Sequence, residues 1–213
     1  MKIAIIGATG FVGSAILNEL ISRNHEITAI VRTPKETSGV KWVATDIFNI
    51  DSLVEALKGN DVVINAYNPG WTNPNIYSEA IAGAKAIQEA VKKSGVKRFI
   101  TIGGAGSLYI APNLQLIDTP EFPKEYFEGA NAARHYLEII KEEKDLDWAF
   151  FSPAIEMHQG ITTGRTGKYR LGLENPVFNN DQRSILSAED LAVAIADEVE
   201  TPKHHQQRFT AAY

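Results

Sequence analysis

The chain opens on a short continuous apolar run, Ile3 to Ile6, that stops at Gly7. A run apolar on both faces fits a strand buried between two layers better than an alternating edge strand. The period then changes. Val12, Ile16, Leu17, Leu20 and Ile21 recur at helical spacing, which predicts a helix from about Gly10 to Arg23. Ile27 to Val31 reads as a second strand and closes a βαβ unit.

The alternation continues along the chain. Trp42 to Ala44 is a short third strand, and Ser52 with Glu55 reads as a capping box before Val54, Ala56 and Leu57. Asp61 to Asn65 supplies a fourth strand with β-branched Val62, Val63 and Ile64. Turn formers crowd Asn68 to Asn75, and an alanine-rich helix then runs to about Ser94, ended by Gly95. Arg98 to Ile102 is a fifth strand, followed by Gly103-Gly104-Ala105-Gly106 and an irregular stretch through Pro123. A helix to about Lys144 and a strand at Trp148 to Phe151 complete the series. Strands separated by helices of ten or more residues imply parallel pairing, so the expected fold is α/β, a doubly wound parallel sheet of the Rossmann type.

After Pro153 the composition shifts to Gly, Thr, Asn and Arg, with Lys168 to Leu171 and Ser184 to Leu186 as short strand candidates. Ser187 and Asp190 start a helix over Leu191 to Val199, and Gln207 to Ala212 reads as a last strand. No internal repeat is present. The expectation is one domain over residues 1–213, with residues 153–186 and the C-terminal tail forming a small substrate lobe over the carboxyl ends of the strands.

Composition narrows the partners. With 21 Lys plus Arg against 26 Asp plus Glu the net charge is −5, and no basic block exists to serve a nucleic acid or an anionic membrane. Zero cysteines remove disulfides, thiolate metal sites and a cysteine nucleophile. The five histidines lack chelating spacing, so no metal site is expected. The first apolar run is too short for a secretion signal, which makes the cytoplasm the expected location. His204-His205 reads as a surface pair, Arg165, Lys168 and Arg170 as a solvated face, and Glu138, Glu142 and Glu143 as another.

The chemistry begins at Gly7-Ala8-Thr9-Gly10-Phe11-Val12-Gly13, a G-x-x-G-x-x-G loop between the first strand and the first helix. Gly7 suits a tight turn, Gly10 a close approach of backbone to a diphosphate, and Gly13 close helix packing. The helix N-terminus offers unpaired N–H groups and about half a positive charge to the phosphates. No acid lies from Ile27 to Lys35 to bind a ribose 2′-hydroxyl; Arg32 stands there instead. Its guanidinium suits a 2′-phosphate, so NADP(H) is preferred over NAD(H). Asp46, with Ile47 beside it, is placed to receive the adenine amino group.

These residues, with Asn65-Ala66, Gly103-Gly-Ala-Gly-Ser-Leu-Tyr109 and Ser152-Pro153, resemble the atypical short-chain dehydrogenase/reductases. Within them the chain is most similar to the bacterial NAD(P)H-flavin reductases related to the biliverdin-IXβ reductase branch. The tail segments Ser187 to Ala192 and His205 to Thr210 share that likeness. The resemblance implies that Asn65, Ala66 and Tyr67 border the adenosine and ribose. It likewise implies that Gly103 and Gly104 lie beside the nicotinamide ribose and that Ser152, Pro153, Ala154 and Ile155 flank the nicotinamide.

The departures from that pattern decide the expected chemistry. No tyrosine has a lysine four residues on, so the Tyr-x-x-x-Lys of ordinary short-chain dehydrogenases is absent; Tyr126 is followed by Phe127-Glu128-Gly129-Ala130. Gly104 and Ala154 stand where the mammalian flavin/biliverdin reductases carry a serine and a histidine. Reduction of a flavin-like or other flat conjugated acceptor survives this loss, because water can supply the proton and the protein need only orient two rings. The flavin would then be a substrate and not a prosthetic group. Tyr126, Ser107 and Tyr109 are the candidate proton donors or orienters, and Tyr67, Trp71 and Tyr109 a candidate aromatic wall. Two other functions remain open: a non-catalytic NADP(H)-sensing regulator, and an epimerase or isomerase on the same scaffold. The chain is expected to act on a small molecule as a monomer or homodimer.

Overall fold

The computed structural model describes residues 1–213. Its centre is an eight-stranded sheet in the order β3-β2-β1-β4-β5-β8-β10-β9. The strands are β1 (Lys2–Ile6), β2 (Glu26–Val31), β3 (Val40–Ala44), β4 (Val62–Asn65), β5 (Arg98–Ile102), β8 (Asp147–Ser152), β9 (Arg170–Gly172) and β10 (Gln207–Ala212). All neighbours pair in parallel except β9, which runs antiparallel to β10. The chain leaves β1 toward β2 on one side and returns to β4 on the other. That reversal opens a crevice beyond the carboxyl ends of β1 and β4, where doubly wound sheets bind ligands.

Helices cover both faces. α1 (Phe11–Ser22) and α5 (Ala188–Glu200) bury Ile16, Leu20, Leu191 and Ile195 against Ile3, Ile5, Phe151 and Phe209. On the other face α2 (Ile50–Leu57), α3 (Ile76–Ser94) and α4 (Lys124–Lys141) bury Leu53, Leu57, Ile87, Val91 and Leu137 against Ala4, Ile6, Phe99 and Phe150. Successive strand residues thus serve opposite cores, which is why β1 and β4 carry unbroken apolar runs. The Rossmann-type α/β reading holds.

Several local expectations give way. α2 is capped by Asn49, whose Oδ1 accepts the Ser52 N–H at 3.2 Å, so Ser52 lies inside the helix and does not cap it. The stretch after β5 holds a 3-10 turn at Ala105–Ser107 and a small hairpin, β6 (Tyr109–Ala111) with β7 (Leu114–Gln115). Ser184 to Leu186 contributes only one bridge, Glu156 with Ile185, and α4 stops at Lys141. The tail is less of a lobe than expected: α5 packs along α1, β10 pairs with β8 inside the sheet, and both complete the core.

Three polar side chains expected to be solvated are engaged. His204 is buried, stacked on Phe209 at 4.3 Å and bonded to Glu198, which also accepts from the buried guanidinium of Arg98. Glu143 is buried and accepts from Lys92 and Gln88. Arg165 binds Glu19 with two nitrogens, at 2.7 and 2.9 Å. Each acid accepts from a charged or amide partner, which is the condition for burying it.

Ser187 and Asp190 do more than start a helix. Ser187 Oγ accepts the Asp190 N–H, and the fully buried Asp190 carboxylate accepts from Thr166 N, Gly167 N, Thr166 Oγ1 and Tyr213 Oη. One acid therefore ties the 164–167 turn and the chain's last residue to the N-terminus of α5.

Candidate dinucleotide site

The glycine loop is assembled by contacts that tolerate no side chain at two of its three positions. Gly7 has φ +82°, and a Cβ there would stand 2.6 Å from the Ala66 carbonyl oxygen. A Cβ at Gly13 would stand 2.1 Å from the Gly7 oxygen. Both glycines draw β1, α1 and the end of β4 together. Gly10 differs: its φ is −73°, and a Cβ would meet only the Gly7 oxygen, at 3.4 Å. The space above Gly10 is open.

Gly10 is also the N-cap of α1, without a side-chain cap and without an acid in the first turn. The N–H groups of Phe11, Val12 and Gly13 therefore lack intrahelical partners and face the crevice end of the helix dipole. Thr9 and Phe11 are exposed beside them and Val12 is half-buried. An open cradle with free donors and no competing carboxylate fits a diphosphate.

Arg32 follows the last residue of β2 and is exposed. Tyr67, just past β4, is pushed above the usual phenol range by burial and by the Glu79 charge, opposed by Arg32 and assisted by Asp46. Arg32, Asp46 and Tyr67 thus share one neighbourhood. The Tyr67 ring occupies a notch on α3: a Cβ at Gly83 would lie 2.4 Å from Tyr67 Cε1 and 3.0 Å from Ile47 Cδ1. Gly83 went unnoticed in the sequence; its only signal was a glycine inside an alanine-rich helix. Asn65 is buried, donating to Thr101 Oγ1 at 3.2 Å and accepting the Tyr67 N–H at 3.0 Å. Its amide shapes the turn that presents Ala66 and Tyr67.

At the other end of the crevice, Gly103 is required by packing, since a Cβ would lie 2.0 Å from the Phe150 ring. Gly104 abuts α4, with 3.3 Å from its Cβ position to Ala133 Cβ. Ser152, Pro153 and Ala154 are buried and Ile155 is exposed. Ser152 Oγ has no protein partner despite full burial.

The catalytic candidates separate. Ser107 is buried, and its Oγ and carbonyl oxygen accept from Arg208 Nη1 at 3.1 and 2.8 Å. Arg208 lies over the Tyr109 ring, 5.8 Å from its centre, and pairs with Glu174. Ser107 and Tyr109 thus belong to a buried knot that locks the loop after β5 onto β10. Arg208 was missed because one charged residue in an apolar strand reads as solvent-facing. Tyr126 joins Trp71 instead, edge to face at 5.4 Å. The rings expected to form one wall make no ring contact with one another: Tyr67 fills the notch at Gly83, Trp71 meets Tyr126, and Tyr109 lies under Arg208.

An open sheet with a glycine cradle at its reversal point defines a nucleotide-binding Rossmann protein. Residues 7–202 match the model of the NAD(P)H-binding family, and the chain belongs to that family. It is 36% identical to YwnB of Bacillus subtilis (strain 168), a protein without an assigned function, over 99% of this chain and 97% of that one. A solved structure from Bacteroides thetaiotaomicron, provisionally named an epimerase, is 46% identical with a TM-score of 0.90, covering 100% of this chain and 96% of that one. Another from Streptococcus pneumoniae TIGR4, provisionally named an NADH-flavin reductase, is 32% identical with a TM-score of 0.88, over 100% and 99% of the two chains. The chain is thus an NAD(P)H-binding protein of the oxidoreductase-like, atypical short-chain dehydrogenase/reductase type. No helix is long and apolar enough to cross a membrane.

Proposed function

We propose that the protein is an NADPH-dependent reductase that passes hydride to a flavin-like or other flat conjugated acceptor. The observation that carries this reading is the open cradle at Gly10 with its uncapped helix, in a chain that lacks Tyr-x-x-x-Lys. The bound dinucleotide supplies the hydride, and an acceptor of this class takes its proton from water. The N–H groups of Phe11 to Gly13 hold the diphosphate, Arg32 the 2′-phosphate, and Tyr67 and Ile47 the wall beside the adenosine. Gly103, Gly104 and the Ser152 to Ile155 segment orient the nicotinamide end, where the buried, unpartnered Ser152 hydroxyl suits an ordered water. The acceptor is a small molecule and the flavin a passing substrate. The protein works in the cytoplasm, where its cofactor is abundant, as a monomer or homodimer.

The test is anaerobic oxidation of NADPH, followed at 340 nm, with riboflavin or FMN. Turnover above the free-flavin background is expected, and its absence refutes the flavin claim. The similarity to the Bacteroides protein supports a second reading, an epimerase, which would instead interconvert sugar stereoisomers without net change at 340 nm. Tight NADPH binding with neither activity would favour a sensor.

A further inference from the structure

Trp71 and Tyr126 form an exposed aromatic corner at the carboxyl edge of the sheet. Their rings meet at 84° with centres 5.4 Å apart, and the residues are 56% and 48% exposed. Two large rings exposed side by side make a contiguous apolar patch of the kind that ligands cover. The loop that carries Trp71 is braced: Gly70 N donates to Asn68 Oδ1, Asn75 N to Asn73 Oδ1, and Asn73 Nδ2 to Glu79, all within 2.8 Å. The seat on α4 is equally definite, since a Cβ at Gly129 would lie 2.6 Å from Trp71 Cζ3.

Gly129 and Ala133 lie four residues apart on one face of α4, and Ala133 is the residue that abuts Gly104. The points at which Trp71 and Gly104 touch α4 are therefore about 6 Å, one helical turn, apart along its axis. α4 connects parallel strands, so its N-terminus points to the same end of the sheet as the glycine cradle. A flat ring lying on one face of the corner would have its edge against the other ring, the arrangement aromatic groups favour.

Charge around the corner restricts the ring. Glu121, Glu125 and Glu128 are exposed and unpaired, against one exposed cation, Lys124. Glu125 shares the Gly129 face, one turn before it. These carboxylates outweigh the partial positive end of α4 and repel an anion. We propose that Trp71 and Tyr126 form the acceptor seat and that its acidic rim selects an uncharged conjugated ring over a phosphorylated one. This rests on the reductase reading only for the name of the ligand; the seat is tested by binding.

The experiment titrates the NADP+-loaded protein with lumichrome, riboflavin and FMN at low ionic strength, reading tryptophan emission. Trp148 is buried and Trp42 half-buried, so quenching by a stacked ring reports mainly on Trp71. Riboflavin is expected to bind at least about threefold more tightly than FMN, with the ratio approaching one in 0.5 M salt as screening removes the repulsion. Glu121→Gln, Glu125→Gln and Glu128→Gln together should also bring that ratio toward one. Read by the ligand's own fluorescence, since these variants lack the reporting indole, Trp71→Leu should weaken lumichrome and riboflavin by about tenfold or more, while Trp71→Phe keeps an aromatic face and stays within about threefold.

Equal affinity for FMN and riboflavin in the native protein overturns the selection, and so does an unchanged ratio in the triple variant. Full affinity in Trp71→Leu overturns the seat. Emission that changes with protein concentration alone assigns the corner to a second copy and overturns it as well. Ring binding without NADPH oxidation would sink the reductase reading and leave the seat standing.

Discussion

Gly10→Ala isolates the phosphate cradle from the fold that surrounds it. The φ of −73° at Gly10 is one that alanine adopts without strain, and its methyl would touch only the Gly7 oxygen, at 3.4 Å. The unliganded protein should therefore melt within a few degrees of the native one, because an alanine N-cap costs only about 1 kcal/mol. The methyl does fill the space that a diphosphate needs above the N–H groups of Phe11 to Gly13. Losing one to two charge-assisted hydrogen bonds, at about 1.5–3 kcal/mol each, removes roughly 2–4 kcal/mol of binding. NADPH affinity, measured by titration calorimetry, should then fall about 30- to 700-fold. Gly13→Ala gives the contrast: its Cβ would stand 2.1 Å from backbone oxygen, so there stability itself should drop, by about 1–3 kcal/mol. If Gly10→Ala binds NADPH within threefold of native, no phosphate lies over Gly10 and the cradle argument is wrong.

Arg32→Asp should lower NADPH affinity by about 10- to 100-fold, the loss of a charged hydrogen bond, and leave NADH within threefold; equal effects on both would show that Arg32 reads no 2′-phosphate. Asp190→Ala strands Thr166 N, Gly167 N and Tyr213 Oη, and should cost about 3 kcal/mol in urea unfolding and expose the 164–167 turn to proteolysis; a loss below about 1 kcal/mol would contradict the buried-anchor account. Burial alone would raise the Glu143 carboxyl, but Lys92, the Asp145 N–H and the Gln88 amide bring it from 4.5 down to about 2. Its contribution is thus complete above pH 4.5 and lost as the pH falls through 2. About 2 kcal/mol of stability should disappear between pH 5 and 2, and Glu143→Gln should flatten that acid limb; an unchanged limb would refute the pairing.

The strand and helix alternation was legible because a parallel sheet leaves unbroken apolar runs such as Ile3 to Ile6, and its helices leave a 3.6-residue stripe such as Val12 to Ile21. The glycine loop was legible too, since Gly7, Gly10 and Gly13 obey a local rule of spacing. What escaped were contacts between residues far apart in the chain. Ser107 was a candidate donor until Arg208, 101 positions away, was found to occupy it. Trp71 and Tyr126 were noted separately, but nothing local pairs them; Gly129 does so by leaving room on α4. Asn49 displaced Ser52 as a cap because both satisfy the same local chemistry and only the backbone path chooses between them.

Hydrophobic period and glycine spacing, read along the chain, were enough to specify the Rossmann sheet, the cradle and a cation at the end of β2. These are properties of neighbours in sequence, and short-range sterics and burial enforce them. The tertiary structure alone decided which polar groups are spent on the fold and which remain for a ligand. It closed Ser107, His204, Glu143 and Asp190 into internal networks, and it left the donors above Gly10 and the corner of Trp71 and Tyr126 open. The reason is that burial and hydrogen-bond satisfaction depend on what arrives from the rest of the chain, and no spacing rule records that.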